Sequence, residues 1–244
     1  MVAKDDEINY LSKLGEGGRE HALNKPWSDP GRGTYLLDIG ALLSVMPPPP
    51  GRLLDIGAGT GWTSCLLALA GYQVTATDIA PEMVELQRAN AARYGVALGD
   101  TVVCDFESLP TALDGQFDVA LFYDCLHHSD DEQAALASAY RALRPGGVCV
   151  TLEPGRGHAR NPDSVRAREV FGTTERDMPP SRIIAAARAV GFVGHALFER
   201  PLAPLPLTHR RWTSLRTTAV MARRLLIRAT PLVLTQGHLV VLQK

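Results

Sequence analysis

Short apolar runs alternate with stretches of helical period along most of this chain. "RLLDI" (52–56), "YQVTATD" (72–78), "TVVCD" (101–105), "FDVALFY" (117–123) and "VCVTLE" (148–153) read as strands, apolar enough for burial on both faces. Between them lie "GWTSCLLALA" (61–70), "APEMVELQRANAARYG" (80–95) and "SDDEQAALASAYRALRPGG" (129–147), which read as amphipathic helices. Pro81 at the first helical position, Glu82 in the first turn and Gly95 at the end delimit the second of these. Ser129 with Glu132 three residues on predicts a capping box for the third, and "RPGG" is expected to close it. A helix near 180–190 leads into "FVGHALFE", and "HLVVLQK" ends the sequence. The alternation predicts an α/β fold: a doubly wound, mostly parallel sheet with helices on both faces.

Outside that alternation the pattern changes. Residues 1–50 form a lead-in, polar and glycine-interrupted to about residue 32, with a helix expected over 34–46 ("TYLLDIGALLSVM") and stopped by "PPPPG". Residues 51–244 form the main domain, with an insert over about 200–236 before the last strand. The formal net charge is −1, yet the last 45 residues carry eight basic side chains and no acidic one. The first 199 hold 17 basic and 26 acidic residues, a balance of −9. A basic tail of this kind suits an anionic partner, or folds back onto an acidic body. The charged start "MVAKDDEINY" has no apolar core of a signal peptide, and no apolar run reaches membrane-spanning length. Cys65, Cys104, Cys125 and Cys149 lack CxxC spacing and sit in apolar segments. Free thiols in a reducing cytoplasm are therefore expected.

Candidate chemistry centres on "LLDIGAGTGWTS" (53–64), in the turn after the first strand, where open α/β sheets bind ligands. A dinucleotide fingerprint would need a glycine where Trp62 stands, which disfavours a NAD-dependent dehydrogenase, and a phosphate-binding P-loop would need an absent lysine. The stretch reads instead as Asp55 followed by Gly57, Gly59 and Gly61 in alternation. Such a turn lets backbone approach a ligand closely, and the acid ahead of it suits a cationic amino group better than phosphate. S-adenosylmethionine (SAM) carries an ammonium, a carboxylate and a sulfonium. Asp78 ends the second strand, where a carboxylate can accept both ribose hydroxyls; it also suits a cap for the following helix. Asp105 ends the third strand, where it can accept from an adenine amino group or serve as a turn residue, and Phe106 offers a ring face.

Taken in order, "LLDIGAGTG", "VTATDIAPEMVE", "VVCDFESLP", "FDVALFYDCLHHSDD" and "LRPGGVCVTLE" resemble the class I (Rossmann-like) SAM-dependent methyltransferase superfamily, over about Leu53 to Glu153. The resemblance implies a seven-stranded sheet in the order 3-2-1-4-5-7-6 with the last strand antiparallel, "FVGHALFE" and "HLVVLQK" being the terminal pair. It implies SAM as cofactor and S-adenosylhomocysteine as product. Asp55, Gly57, Gly59 and Gly61 would then face the methionine moiety, Asp78 and Ile79 the ribose, Asp105 and Phe106 the adenine, and Tyr123 the methionyl group or the transferred methyl.

Transfer to a hydroxyl or ammonium also needs a base, a role suited to histidine near neutral pH. His127 and His128, after the fourth strand, are the candidates; a loop-orienting role is the alternative, and no metal site is expected. Arg156 and His158 after the fifth strand, with His21, Lys25 and Trp27 in a lead-in acting as a lid, are candidates for meeting the acceptor. The insert carries "HRRWTSLRTTAVMARRLLIR", read as a helix packed on the domain or at a homodimer interface, or as a basic surface for a membrane or anionic ligand. Few aromatics interleave its arginines, so nucleic acid is not expected. "YDCL" stands where many amino-methylating enzymes of nucleic acids and proteins carry an Asn/Asp-Pro-Pro-aromatic tetrapeptide. The expected reaction is in-line methyl transfer to an O or N atom of a small molecule, a sugar or natural-product intermediate. The alternatives are a non-catalytic SAM-binding protein and an enzyme acting on a lipid-linked or macromolecular acceptor.

Overall fold

The computed structural model describes residues 2–201, 222 and 238–244. The insert expected over about 200–236 lies almost wholly outside the described residues. Seven strands form one sheet in the order β3-β2-β1-β4-β5-β7-β6. They are β1 (Arg52–Ile56), β2 (Gln73–Asp78), β3 (Asp100–Val103), β4 (Phe117–Tyr123), β5 (Leu143–Glu153), β6 (Gly194–Glu199) and β7 (His238–Gln243). β7 runs antiparallel to both of its neighbours and the other pairings are parallel, so the predicted order holds.

Strand alternation divides the core in two. Leu54 and Ile56 of β1, Ala120 and Phe122 of β4 and Val240 of β7 face one side. There they meet α7 (Glu132–Ala142) and α9 (Pro180–Val190) through Leu136, Ala139 and Ile183. Leu53, Val119, Leu121 and Val150 face the other side, against α4 (Arg32–Val45) and α5 (Trp62–Leu69) through Leu42 and Leu67. Burial of both faces accounts for the near-continuous apolar strands. α6 (Pro81–Tyr94) follows β2, with Pro81 at its start and Gly95 closing it at φ 66°.

The lead-in is helical. α1 (Val2–Ile8), α2 (Tyr10–Lys13) and α3 (Gly15–Leu23) precede α4. Two boundaries also differ from expectation. The side chain that caps α7 is Asp131, which accepts from the backbone N–H of Gln133 (2.9 Å) and Ala134 (3.1 Å). Ser129 instead donates to the Leu126 carbonyl (2.7 Å), and Glu132 pairs with Arg182 (2.6 Å), so no capping box forms. α7 ends at Ala142, and "RPGG" lies inside β5, where a register shift between Phe117 and Val119 absorbs the extra residues. α8 (Pro162–Arg166) sits in the long connection from β5 to α9. All four cysteines are unpaired thiols, Cys104 half-buried and the others buried. No helix among the described residues is long and apolar enough to cross a membrane.

Candidate active site

The carboxyl ends of β1 to β4 open into two adjoining chambers of about 280 and 350 Å³. Both are lined by Gly57, Gly59, Met83, Lys25 and Asp124, so they form one cleft. The smaller holds Asp78, Ile79, Asp105, Phe106 and His128. The larger holds Asp55, Thr60, Trp62, Tyr123, Tyr35 and His21.

The glycines of the turn do different work. Gly57, Gly59 and Gly61 all have left-handed backbone, at φ 65°, 54° and 74°. A Cβ on Gly57 would sit 3.0 Å from Cys125, and one on Gly61 would sit 2.9 Å from Gln87 Cγ and 3.2 Å from its Cα. Those two glycines permit packing. A Cβ on Gly59 would meet nothing within 4 Å, although Gly59 lines both chambers. Its open face is the cradle a ligand would fill. Gln87 and Asn90, buried on α6, hold the turn from outside by donating to the carbonyls of Gly59 (3.0 Å) and Thr60 (2.8 Å).

Asp55 is 1% exposed and accepts from the hydroxyls of Thr63 (2.8 Å) and Ser64 (2.6 Å), tying β1 to the first turn of α5. Burial, opposed by those two hydrogen bonds, pushes its pKa up to about 6. Asp78 accepts from Gly59 N (2.8 Å) and Ala80 N (2.9 Å), and burial pushes its pKa up to about 6 as well. Each carboxylate keeps unused lone pairs beside a cleft it lines. Such an acceptor set fits an ammonium and sugar hydroxyls, whereas a pyrophosphate would meet two carboxylates at the turn.

Asp105 accepts from Lys4 Nζ (2.5 Å) and Glu107 N (2.9 Å), so α1 reaches across the smaller chamber. Phe106 packs edge-on to Phe122 at 5.9 Å. The Tyr123 hydroxyl is engaged by Asp38 (2.9 Å), a fully buried acid of α4 that also takes both Arg200 bonds (2.9 and 2.6 Å). Burial, then the Asp38 and Asp124 charges, push that phenol well above its ordinary pKa. Asp124 itself has φ 54°, the left-handed region that a non-glycine residue occupies under constraint. It lines both chambers.

The two candidate histidines part company. His128 lines the smaller chamber and pairs with Glu7 of α1 (3.2 Å). Burial works against its charge, but the Glu7 hydrogen bond and the charges of Glu7, Glu175 and Asp124 prevail and push its pKa up to about 9. His127 is 3% exposed and points away from the cleft, donating from Nδ1 to Glu153 Oε2 (2.8 Å) behind the His128 ring, whose centroid is 4.1 Å away.

The acceptor candidates also separate. His21 and Lys25 line the larger chamber. Trp27 is 51% exposed and donates to the Tyr94 hydroxyl (2.8 Å), on the outer surface. Arg156 is exposed on the turn after β5. His158 bonds to Glu175 (2.7 Å) rather than facing the cleft. Burial opposes the Glu175 charge, but the His158 hydrogen bond and the fields of His128, His127 and His158 hold its pKa below the ordinary value.

Fold and cleft together define an open α/β protein with a cleft at the glycine turn after β1, the place where such sheets bind ligands. Residues 54–151 match the family model described as "Methyltransferase domain". The ubiquinone/menaquinone biosynthesis C-methyltransferase UbiE of Desulfotalea psychrophila is 37% identical over 108 residues, 43% of this chain and 42% of that protein. The malonyl-[acyl-carrier protein] O-methyltransferase of Serratia marcescens is 38% identical over 122 residues, 48% of this chain and 46% of that protein. The chain thus spans under half the length of the curated relatives it matches. A Thermotoga maritima structure, titled a SAM-dependent methyltransferase and possible histamine N-methyltransferase, superposes over 98% of this chain and 99% of its own, with a TM-score of 0.64 at 20% identity. The matched stretch is thus similar to a methyltransferase domain, and the fold is the one that class I SAM-dependent methyltransferases share, whose cofactor is SAM.

Proposed function

We propose that this protein methylates an O or N atom of a small molecule, of the sugar or natural-product kind, using SAM. The open face of Gly59 at the junction of the two chambers carries this reading. Asp78 and Ile79 would hold the ribose, and Phe106 the adenine ring. Asp105 would take the adenine amino group once Lys4 withdraws. The Gly57–Gly61 turn, with Asp55 behind it, would seat the methionine moiety. Bound SAM supplies a methyl group on a positively charged sulfur. This chain's part is to align the acceptor and exclude water, positioning that contributes roughly 7–11 kcal/mol to lowering such barriers.

In the larger chamber His21, Lys25 and Tyr35 would meet the acceptor, with Asp124 orienting its nucleophilic group. Of the two candidate histidines only His128 lines the cleft, on the side of the smaller chamber, so it is the one that would take a proton from an acceptor seated where the chambers meet, and only its neutral form can do so. Its imidazolium is held by Glu7, so turnover is expected to climb with pH toward about 9, where the proton is released. His128→Asn is expected to lower kcat by roughly 10²–10⁴-fold with SAM affinity unchanged, followed as S-adenosylhomocysteine release over a panel of hydroxylated and amino compounds. Unchanged turnover in that variant would remove His128 from the reaction.

The relatives are named as methyltransferases of carbon and of oxygen, one with a carrier-protein substrate. A lipid- or carrier-linked acceptor is therefore the second reading, told apart by turnover on acyl-carrier substrates in place of the small-molecule panel. SAM binding without turnover on either would point to a non-catalytic protein.

A further inference from the structure

Among the described residues, one imidazole–carboxylate cluster lies apart from the cleft. His127 comes from the turn after β4, His158 from the short helix His158–Arg160 after β5, and Glu175 from the segment leading into α9. Their ligand atoms all lie within 4.8 Å of one another. Glu175 Oε2 is 3.6 Å from His127 Nε2 and 2.7 Å from His158 Nε2.

The hydrogen bonds around this cluster fix how His127 presents itself. Glu153, 1% exposed, accepts from the backbone N–H of Cys125 (3.1 Å), Leu126 (2.8 Å) and His127 (3.2 Å), and from His127 Nδ1 (2.8 Å). Four donors saturate that carboxylate, so it acts as an acceptor and the Nδ1 proton belongs to His127. In the neutral ring, Nε2 then aims a lone pair at the Glu175 oxygen. Two acceptors facing each other at 3.6 Å call for a positive charge between them. A carboxylate behind the distal nitrogen is also how proteins orient metal-binding imidazoles.

We propose that His127, His158 and Glu175 form a binding site for one divalent transition-metal ion of the zinc class. Two imidazoles and one carboxylate match the ligand preference of zinc, rather than the all-oxygen set chosen by magnesium or calcium. Zinc bonds of roughly 2.0–2.2 Å in tetrahedral geometry put ligand atoms about 3.3–3.5 Å apart, between the two separations seen at Glu175. Ser164 Oγ, 3.3 Å from His158 Nε2, borders the remaining position. The His158 side chain, 20% exposed, gives an entry route from solvent. The ion would pin three chain segments together and, through the ring of His127 packed at a tilt against His128, fix the cleft wall behind the smaller chamber.

The test uses tag-free, chelator-treated full-length protein. Zinc is titrated by calorimetry, and cobalt substitution is followed by visible absorption. One equivalent of zinc should bind, and cobalt should give the intense bands of four-coordinate geometry. Glu175→Gln and His158→Asn should each weaken zinc binding at least tenfold, with circular dichroism confirming that both fold. His195→Asn, on exposed β6, should bind zinc as the parent does. Absence of stoichiometric binding, or affinity untouched in both cluster variants, would overturn the proposal and leave a hydrogen-bonded network only.

Discussion

Replacing Asp78 with Ala is expected to raise the dissociation constant for SAM and for S-adenosylhomocysteine about a hundredfold or more. Asp78 spends two acceptor positions on Gly59 N and Ala80 N and turns the rest toward the smaller chamber. If the two ribose hydroxyls take those positions, their loss costs about 1.5–3 kcal/mol each, as bonds to a charged group do. About 3 kcal/mol corresponds to roughly two decades in affinity. The variant also loses the tie that holds Gly59, so the cradle loosens together with the ribose site. Asp78→Asn retains an acceptor for Gly59 N and should fall between the two. Calorimetric titration of all three proteins is the check, and a change below threefold in Asp78→Ala would falsify the ribose assignment.

The largest stability loss is expected at Gly61. An alanine there must hold φ 74° and push its Cβ against Gln87, whose Cα backbone atom at 3.2 Å cannot swing aside. Left-handed backbone costs an L-residue about 1–2 kcal/mol, and overpacking adds roughly 1–3. A sum of about 2–5 kcal/mol should lower the melting temperature by roughly 5–15 °C in a chain of this size. Gly59→Ala is the counterpart: it bears the backbone cost alone, because its Cβ enters open space. Its melting point should fall less, while SAM binding suffers more. If both variants melt together and bind SAM alike, the division between packing and cradling glycines is wrong.

Periodic features were legible in the sequence because burial on two faces imposes them. The strand order followed from the resemblance, and the glycine turn from its own spacing. What escaped has a local or a long-range cause. Ser129 with Glu132 satisfies a capping pattern, but Asp131 stands directly before the helix and brings two acceptor oxygens. Glu132 is drawn off by Arg182, 50 residues away, which no spacing rule reports. Lys4 on Asp105 and Glu7 on His128 join the start of the chain to strand ends over a hundred residues on. Two acids carried a usable signal: Asp38 lies in an otherwise apolar helix and Glu153 ends an apolar strand, so each had to find a buried partner.

In the proposed function, the turn at Gly57, Gly59 and Gly61 seats SAM. Calorimetric titration of the purified protein with SAM, S-adenosylhomocysteine and NAD in turn tests it most directly. The predicted result is saturable heat at one site for the first two ligands and none for NAD, whose pyrophosphate would meet Asp55 and Asp78. Saturable heat with NAD, and none with either sulfur ligand, would contradict it.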